Sequence, residues 1–361
     1  MRELGISIYP FHATLEENKE YIELAAKYGY SRIFTCLLSV QGEKETILKE
    51  FKETIDHANK YGMKVIVDVA PNIFNDLGIS YNDLKFFKEI GAYGVRLDLG
   101  FTGNEESLMT FNEYNLAIEI NMSNNTNYVD TIMDFIPNTE KLLGCHNFYP
   151  HRYSGLSRKQ FRECTARFKK YSLTTAAFVN SKTAKFGPWP VDDGLCTLEE
   201  HRDLPIEIQG RDLFCEGIDV VIISNCFASE EELKKLSEIR KDLLELEVEL
   251  ENNIPEIEEK IVLEELHFNR GDVSEYLIRS TQPRVKYKGH EFKLFNSPEI
   301  INKGDILIES SLYGHYAGEM QIALKEMKNS GKTNVVGKIK EEYIYLLDRI
   351  KPWQKFKLIK R

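Results

Sequence analysis

The chain has 361 residues, 42% hydrophobic and 29% charged, with a formal net charge of −10. That length suits two domains, and the composition excludes a mainly disordered chain. The acidic balance excludes broad binding to nucleic acid or an anionic membrane surface, which needs a basic field.

Residues 1 to about 240 alternate short apolar runs with amphipathic stretches. The runs Leu4–Tyr9, Arg32–Leu37, Lys64–Val69, Gly94–Leu99, Leu116–Asn121, Leu142–Asn147, Thr174–Val179 and Val220–Asn225 read as strands. Between them, Glu16–Tyr28, Lys44–Tyr61 and Tyr81–Ile90 read as helices stopped by Gly29, Gly62 and Gly91. Ser157 and Ser229 open Arg158–Tyr171 and Glu230–Arg240 as capped helices. Eight strand–helix units without a Gly-rich first turn predict an α/β fold, a closed (β/α)8 TIM barrel over residues 1–240.

The pattern changes after Arg240. Leu243–Leu250, Ile261–Leu266, Glu291–Phe295, Asp305–Glu309, Tyr316–Ala323, Val335–Ile339 and Phe356–Ile359 read as short strands, interrupted by one helix at Glu341–Ile350. Residues 241–361 are thus expected to form a smaller β-rich domain. The Glu-rich stretch Glu245–Lys260 reads as a solvated face. The six cysteines, Cys36, Cys145, Cys164, Cys196, Cys215 and Cys226, form no CxxC pair and no zinc-ligand spacing. Free thiols are expected, with no metal and no other cofactor. With no apolar run of about 18 residues and no secretory leader, a cytoplasmic protein is expected.

Period-2 alternation gives the strand residues a direction. Ile6 and Ile8, Val65, Val67 and Val69, Val95, Leu97 and Leu99, and Leu116, Ile118 and Ile120 share the helix-facing sides. Gly5, Ser7 and Tyr9, then Asp68, then Gly94, Arg96 and Asp98, then Ala117, Glu119 and Asn121 point inward. Three carboxylates, Asp68, Asp98 and Glu119, therefore gather with Arg96 near the C-terminal strand ends, where barrel enzymes carry their chemistry. Burying that much charge is expensive unless it is used or paired. A purely structural network, with Arg96 bridging Asp98 and Glu119, is the competing account. The stretch Cys145–Gly155 sets His146, Asn147, Tyr149 and Arg152 on one loop, a composition suited to sugar stacking and hydroxyl binding. The long connection Lys182–Leu213 brings Lys182, Lys185 and Arg202 as candidates for an anion.

Several segments resemble the 6-phospho-N-acetylmuramidase family: Gly5-Ile6-Ser7-Ile8-Tyr9-Pro10, Arg96-Leu97-Asp98, Asn121-Met122-Ser123-Asn124, His146-Asn147-Phe148-Tyr149-Pro150, and Asp193 through Arg202. Ile278-Arg279-Ser280 and Tyr316-Ala317-Gly318-Glu319 match as well. The likeness covers essentially the whole chain, departing at Gly187-Pro188-Trp189-Pro190 and at His151. It implies a TIM barrel with a cyclophilin-like second domain. It also implies cleavage of N-acetylmuramic acid 6-phosphate from N-acetylglucosamine in cell-wall recycling. The partner is then a phosphorylated amino-sugar disaccharide. Asp98, Glu119 and Asp68 become the catalytic candidates. Tyr9, Arg96, Asn121, His146, Asn147, Tyr149, Arg152, Arg202 and Arg279 become the substrate-binding ones.

Asp98 and Glu119, on strands about 4.8 Å apart, sit nearer the retaining than the inverting carboxylate separation. Retaining, inverting and acetamido-assisted routes stay open. A phosphosugar aldolase or isomerase and a non-catalytic carbohydrate-binding protein are the alternatives, the former through a Schiff-base lysine or a carboxylate–His146 metal site. The second domain, with Arg279, Ser280 and Arg284, is expected to close over the site from its own chain or from a homodimer partner.

Overall fold

The computed structural model describes residues 2–37, 44–69, 74, 79–184, 186–188 and 191–360, without side chains at 44–48. The chain divides into two compact units, Met1–Ile239 and Arg240–Arg361.

In the first unit, eight parallel strands close a barrel: β1 (Glu3–Ile8), β2 (Arg32–Leu37), β3 (Lys64–Val69), β4 (Gly94–Leu97), β5 (Ala117–Asn121), β6 (Leu142–Cys145), β7 (Thr174–Val179) and β8 (Val220–Ile223), with β1 pairing β8. Local signals set the element ends. Thr14 and Glu17 form a capping box on helix Leu15–Lys27, and Ser229 and Glu232 do the same on Glu230–Ser237. Gly29 and Gly62 stop their helices at φ +77° and +70°, where a side chain would be strained. Gly94 is required by space. A Cβ there would lie 2.5 Å from the Ala117 carbonyl and 2.6 Å from Ile66. Ile66, Ala117 and Leu143 form an apolar cluster distinct from the large barrel–helix core. Phe34, Phe148 and Phe178 meet edge to face at centroid distances of 4.9–5.7 Å.

Three expectations for this unit are corrected. β4 ends at Leu97, so Leu99 is a rim residue, 61% exposed, and not a helix-facing one. The helix expected at Tyr81–Ile90 covers only Lys85–Glu89, and the Asp83 carboxylate accepts the Lys85 amide at 3.0 Å at its start. The connection after β7 ends earlier, where helix Ile206–Cys215 begins.

The second unit holds a seven-stranded, mostly antiparallel sheet in the order β10-β17-β9-β16-β13-β14-β11. Its strands are β9 (Leu244–Leu250), β10 (His267–Phe268), β11 (Leu277–Ser280), β13 (Asp305–Glu309), β14 (Met320–Ala323), β16 (Thr333–Ile339) and β17 (Lys355–Ile359). β12 (Ile300–Ile301) and β15 (Met327–Lys328) form a separate ribbon. The expected strand Ile261–Leu266 is instead the end of helix Glu256–Glu264. Ile257, Ile261 and Val262 fall at helical spacing, and Glu258 is buried with the last two, against the expected solvated face. Glu291–Phe295 forms no strand. Its Phe292 and Phe295 amides donate to the Ser311 hydroxyl and the Asn334 carbonyl oxygen, side-chain acceptors that replace a ladder. Helices at Gln282–Lys286 and Glu341–Leu347 complete the unit, which thus has more than the one helix expected.

All six cysteines are free. No helix among the described residues is long and apolar enough to cross a membrane.

Candidate active site

Register places Asp68, Arg96 and Glu119 side by side on β3, β4 and β5. Arg96 is 3% exposed, so its charge must be met locally. Nη1 donates to Asp68 at 2.5 Å and to Asp98 at 3.4 Å, and Nη2 donates to the Asn147 side-chain oxygen. Asp68 and Asp98 thus meet on one guanidinium nitrogen. Their surroundings differ. Asp68 is buried, and burial raises its carboxyl to about 6 despite the opposing pull of Arg96. The Asp98 side chain is 46% exposed.

Glu119 goes elsewhere. It is 1% exposed and pairs with Arg32 of β2. β2 and β5 are not neighbours, so this ion pair spans the barrel interior. Glu119 is thus held by Arg32, which the alternation argument passed over at the start of its strand, while Arg96 meets Asp68 and Asp98.

His146 is fully buried, stacked on Phe161 at 4.5 Å, and desolvation lowers it to about 3. Its Nδ1 lies 3.2 Å from the Ser123 hydroxyl and its Nε2 3.0 Å from that of Thr165. Ser123 accepts the Asn147 backbone amide at 2.8 Å. A hydrogen-bonded chain thus runs from Thr165 through His146, Ser123 and Asn147 to Arg96. Ser123, a site residue that the sequence reading passed over, is its hub. The Asn121 side chain accepts the Ser123 amide at 2.9 Å and donates to the Asp98 carbonyl at 3.3 Å. Tyr149 is partly buried in the same environment of Ser123, Arg96 and Asp98.

Beside Asp98 opens a groove of about 510 Å³ lined by Asn121, Ser123, Asn124, Tyr128 and Gln160. Among the described residues lining it, Asp98 alone carries charge.

The other candidates are placed differently. Tyr9 is buried, and its hydroxyl donates to the Ser224 carbonyl at 2.5 Å, tying the β1 end to the segment after β8. Arg152 makes a bidentate pair with Asp203 at 2.8 and 3.1 Å. Arg202 is buried and fully engaged, donating to Glu199 and to the carbonyls of Tyr149, Asp193 and His151. It holds two loops together. Lys182 is exposed, and Lys185 lies outside the described residues, as do Trp189 and Pro190. Arg279 belongs to the second unit, bonded to Asp272. No group of three or more His, Cys, Asp or Glu side chains able to hold a metal occurs among the described residues.

Family models decide the relationship: 6-phospho-N-acetylmuramidase, N-terminal, matches residues 4–238, and 6-phospho-N-acetylmuramidase, C-terminal, matches 244–359. The chain belongs to the 6-phospho-N-acetylmuramidase family. Among solved structures, an uncharacterized B. cereus protein is 47% identical over 99% of both chains, with a TM-score of 0.90. A conserved Enterococcus faecalis protein of unknown function shares the fold at 24% identity, covering 99% of this chain and 96% of its own, with a TM-score of 0.69. No curated protein matches.

Proposed function

We propose that this protein hydrolyses the glycosidic bond joining N-acetylmuramic acid 6-phosphate to N-acetylglucosamine, in the recycling of cell-wall fragments. The observation that carries this reading, beyond family membership, is the Asp68–Asp98 pair on Arg96. Glycoside cleavage needs one carboxyl that keeps a proton for the leaving oxygen and a second facing the oxocarbenium-like transition state. Unlike environments divide those roles. Asp68, raised to about 6, is the acid. Asp98, open to the groove, faces the anomeric carbon or orients the 2-acetamido group. Asn121, Ser123, Asn124 and Gln160 offer neutral hydrogen-bonding groups suited to an uncharged N-acetylated sugar. The substrate's anions are not expected there, beside Asp98.

The test is incubation of the purified protein with the phosphorylated disaccharide and with its unphosphorylated counterpart, reading released N-acetylglucosamine. Release from the phosphorylated substrate alone is expected. Release from neither, or equally from both, contradicts the reading.

A further inference from the structure

In the second unit, three arginines from separate segments come together. The Arg270 amide donates to the Arg279 carbonyl at 3.1 Å, and both guanidiniums bind Asp272, at 2.7 and 2.8 Å from Arg270 and 2.9 Å from Arg279. Arg279 pairs with Gln321 across β11 and β14, and the Gln321 side chain donates to Glu319 at 3.5 Å, with Tyr316 three residues before it. Glu319 and Tyr316 flank the third guanidinium. Arg284 packs over the Tyr316 ring at 5.2 Å and sits 3.2 Å from Glu319. Glu319 is fully buried, yet neither its Oε2 nor Arg284 Nη1 is aligned for a hydrogen bond. Behind it, Glu309 accepts the Thr333 hydroxyl at 2.7 Å.

We propose that the second unit carries its own phosphate-monoester site, formed by Arg270, Arg279 and Arg284 beside Tyr316. Three forked donors surround Asp272 and Glu319, with the Glu309 carboxyl behind. Planar guanidiniums match phosphate oxygens two at a time, and the Arg284 fork has a donor with no hydrogen bond to surrender. Asp272 is exposed and can yield its bonds to a dianion.

The full-length protein with ¹⁵N-labelled arginine is titrated with glucose 6-phosphate, inorganic phosphate and glucose, following the arginine Nε–Hε signals assigned by Arg→Lys variants. Saturable shifts of Arg270, Arg279 and Arg284 together are expected with both phosphates and not with glucose. Arg279→Gln weakens binding by roughly tenfold or more, the scale of one lost charge-assisted bond. The double variant Arg284→Met/Glu319→Gln removes a charge pair together, so its loss of affinity is not an effect of a stranded buried carboxylate. Unchanged affinity in both variants, or loss in Arg152→Gln alone, overturns the site. Phosphate binding here without disaccharide cleavage overturns the proposed function and leaves the site standing.

Discussion

Asp68 and Asp98 share one guanidinium nitrogen but not one environment, and that difference sets what each residue can do. Burial holds the Asp68 proton up to about 6, so kcat/KM should fall as pH rises past about 6 and the acid is lost. Asp68→Asn should cost about 10²–10⁴-fold in turnover and abolish that limb, measured as a pH–rate profile. Glu119 invites the opposite prediction. Its partner Arg32 is 3% exposed, so Glu119→Gln leaves a buried cation without its counter-charge. The expected loss is about 3–5 kcal/mol of unfolding free energy with near-normal kcat in the folded fraction, read by denaturant titration beside kinetics. A collapse of kcat with unchanged stability would return Glu119 to the chemistry. His146 connects through Ser123 and Asn147 to Arg96. His146→Phe should lower kcat roughly tenfold, about 1.4 kcal/mol, with KM nearly unchanged, and His146→Gln should recover part of it.

At the scale of elements, the loops after β6 and β7 are stitched into one structure. Tyr149 bridges to Cys196 and Leu156 to Leu198 in strand-like pairs. Arg202 grips Glu199, whose carboxylate also accepts the Tyr153 and Gly155 amides at 2.8 Å and is held down at about 2, chiefly by the Arg202 bond. Below them, His201 meets Asp212 at 2.7 Å, both fully buried, and Arg158 binds the same carboxylate. Arg202→Gln should therefore loosen this double loop and not abolish discrimination for phosphate. Faster limited proteolysis between residues 150 and 205, with the rate ratio for phosphorylated over unphosphorylated substrate retained, is the expected result. A ratio near one in this variant would mean that Arg202 touches the phosphate after all.

Across the whole molecule, each unit buries one neutral histidine against a phenylalanine, His146 on Phe161 and His267 on Phe356. Desolvation lowers them to about 3 and about 4, against about 6.5 in an unfolded chain. The unfolded state then binds more protons between those values, so the contribution is complete above about 6.5 and lost as pH falls toward 4. Asp68, raised in the fold, acts with the opposite sign, its contribution lost as pH rises through about 6. Unfolding followed from pH 7 to 5 should show the second unit weakening, by about 1.4 kcal/mol per unit of pH at most, and the first unit weakening less, because Asp68 offsets His146 below about 6. His146→Gln should leave the first unit gaining stability as pH falls below about 6, and His267→Gln should flatten the dependence in the second unit alone. A common response of both units to either substitution would show that they unfold as one.

The sequence by itself determined the barrel, because eight apolar runs, Thr and Ser caps and Gly stops are local signals that survive without knowledge of neighbours. It also determined which side of β3, β4 and β5 carries charge, since period 2 needs only the strand. The second unit was legible only in part. Its strands are short, and Ile261–Leu266 is apolar enough to suit a strand or a buried helix, a choice made by what packs on it. Pairing was beyond the sequence altogether. Alternation brings Asp68, Arg96, Asp98 and Glu119 to one interior but does not say which acid Arg96 takes. Closure of the barrel decides that, by setting Arg32 against Glu119 across the interior and leaving Arg96 to Asp68 and Asp98. In the same way Arg202 reads as a free cation until the loops close around it. Charge type and direction are properties of a strand, whereas the partner of a buried charge is a property of the space it shares with residues far along the chain.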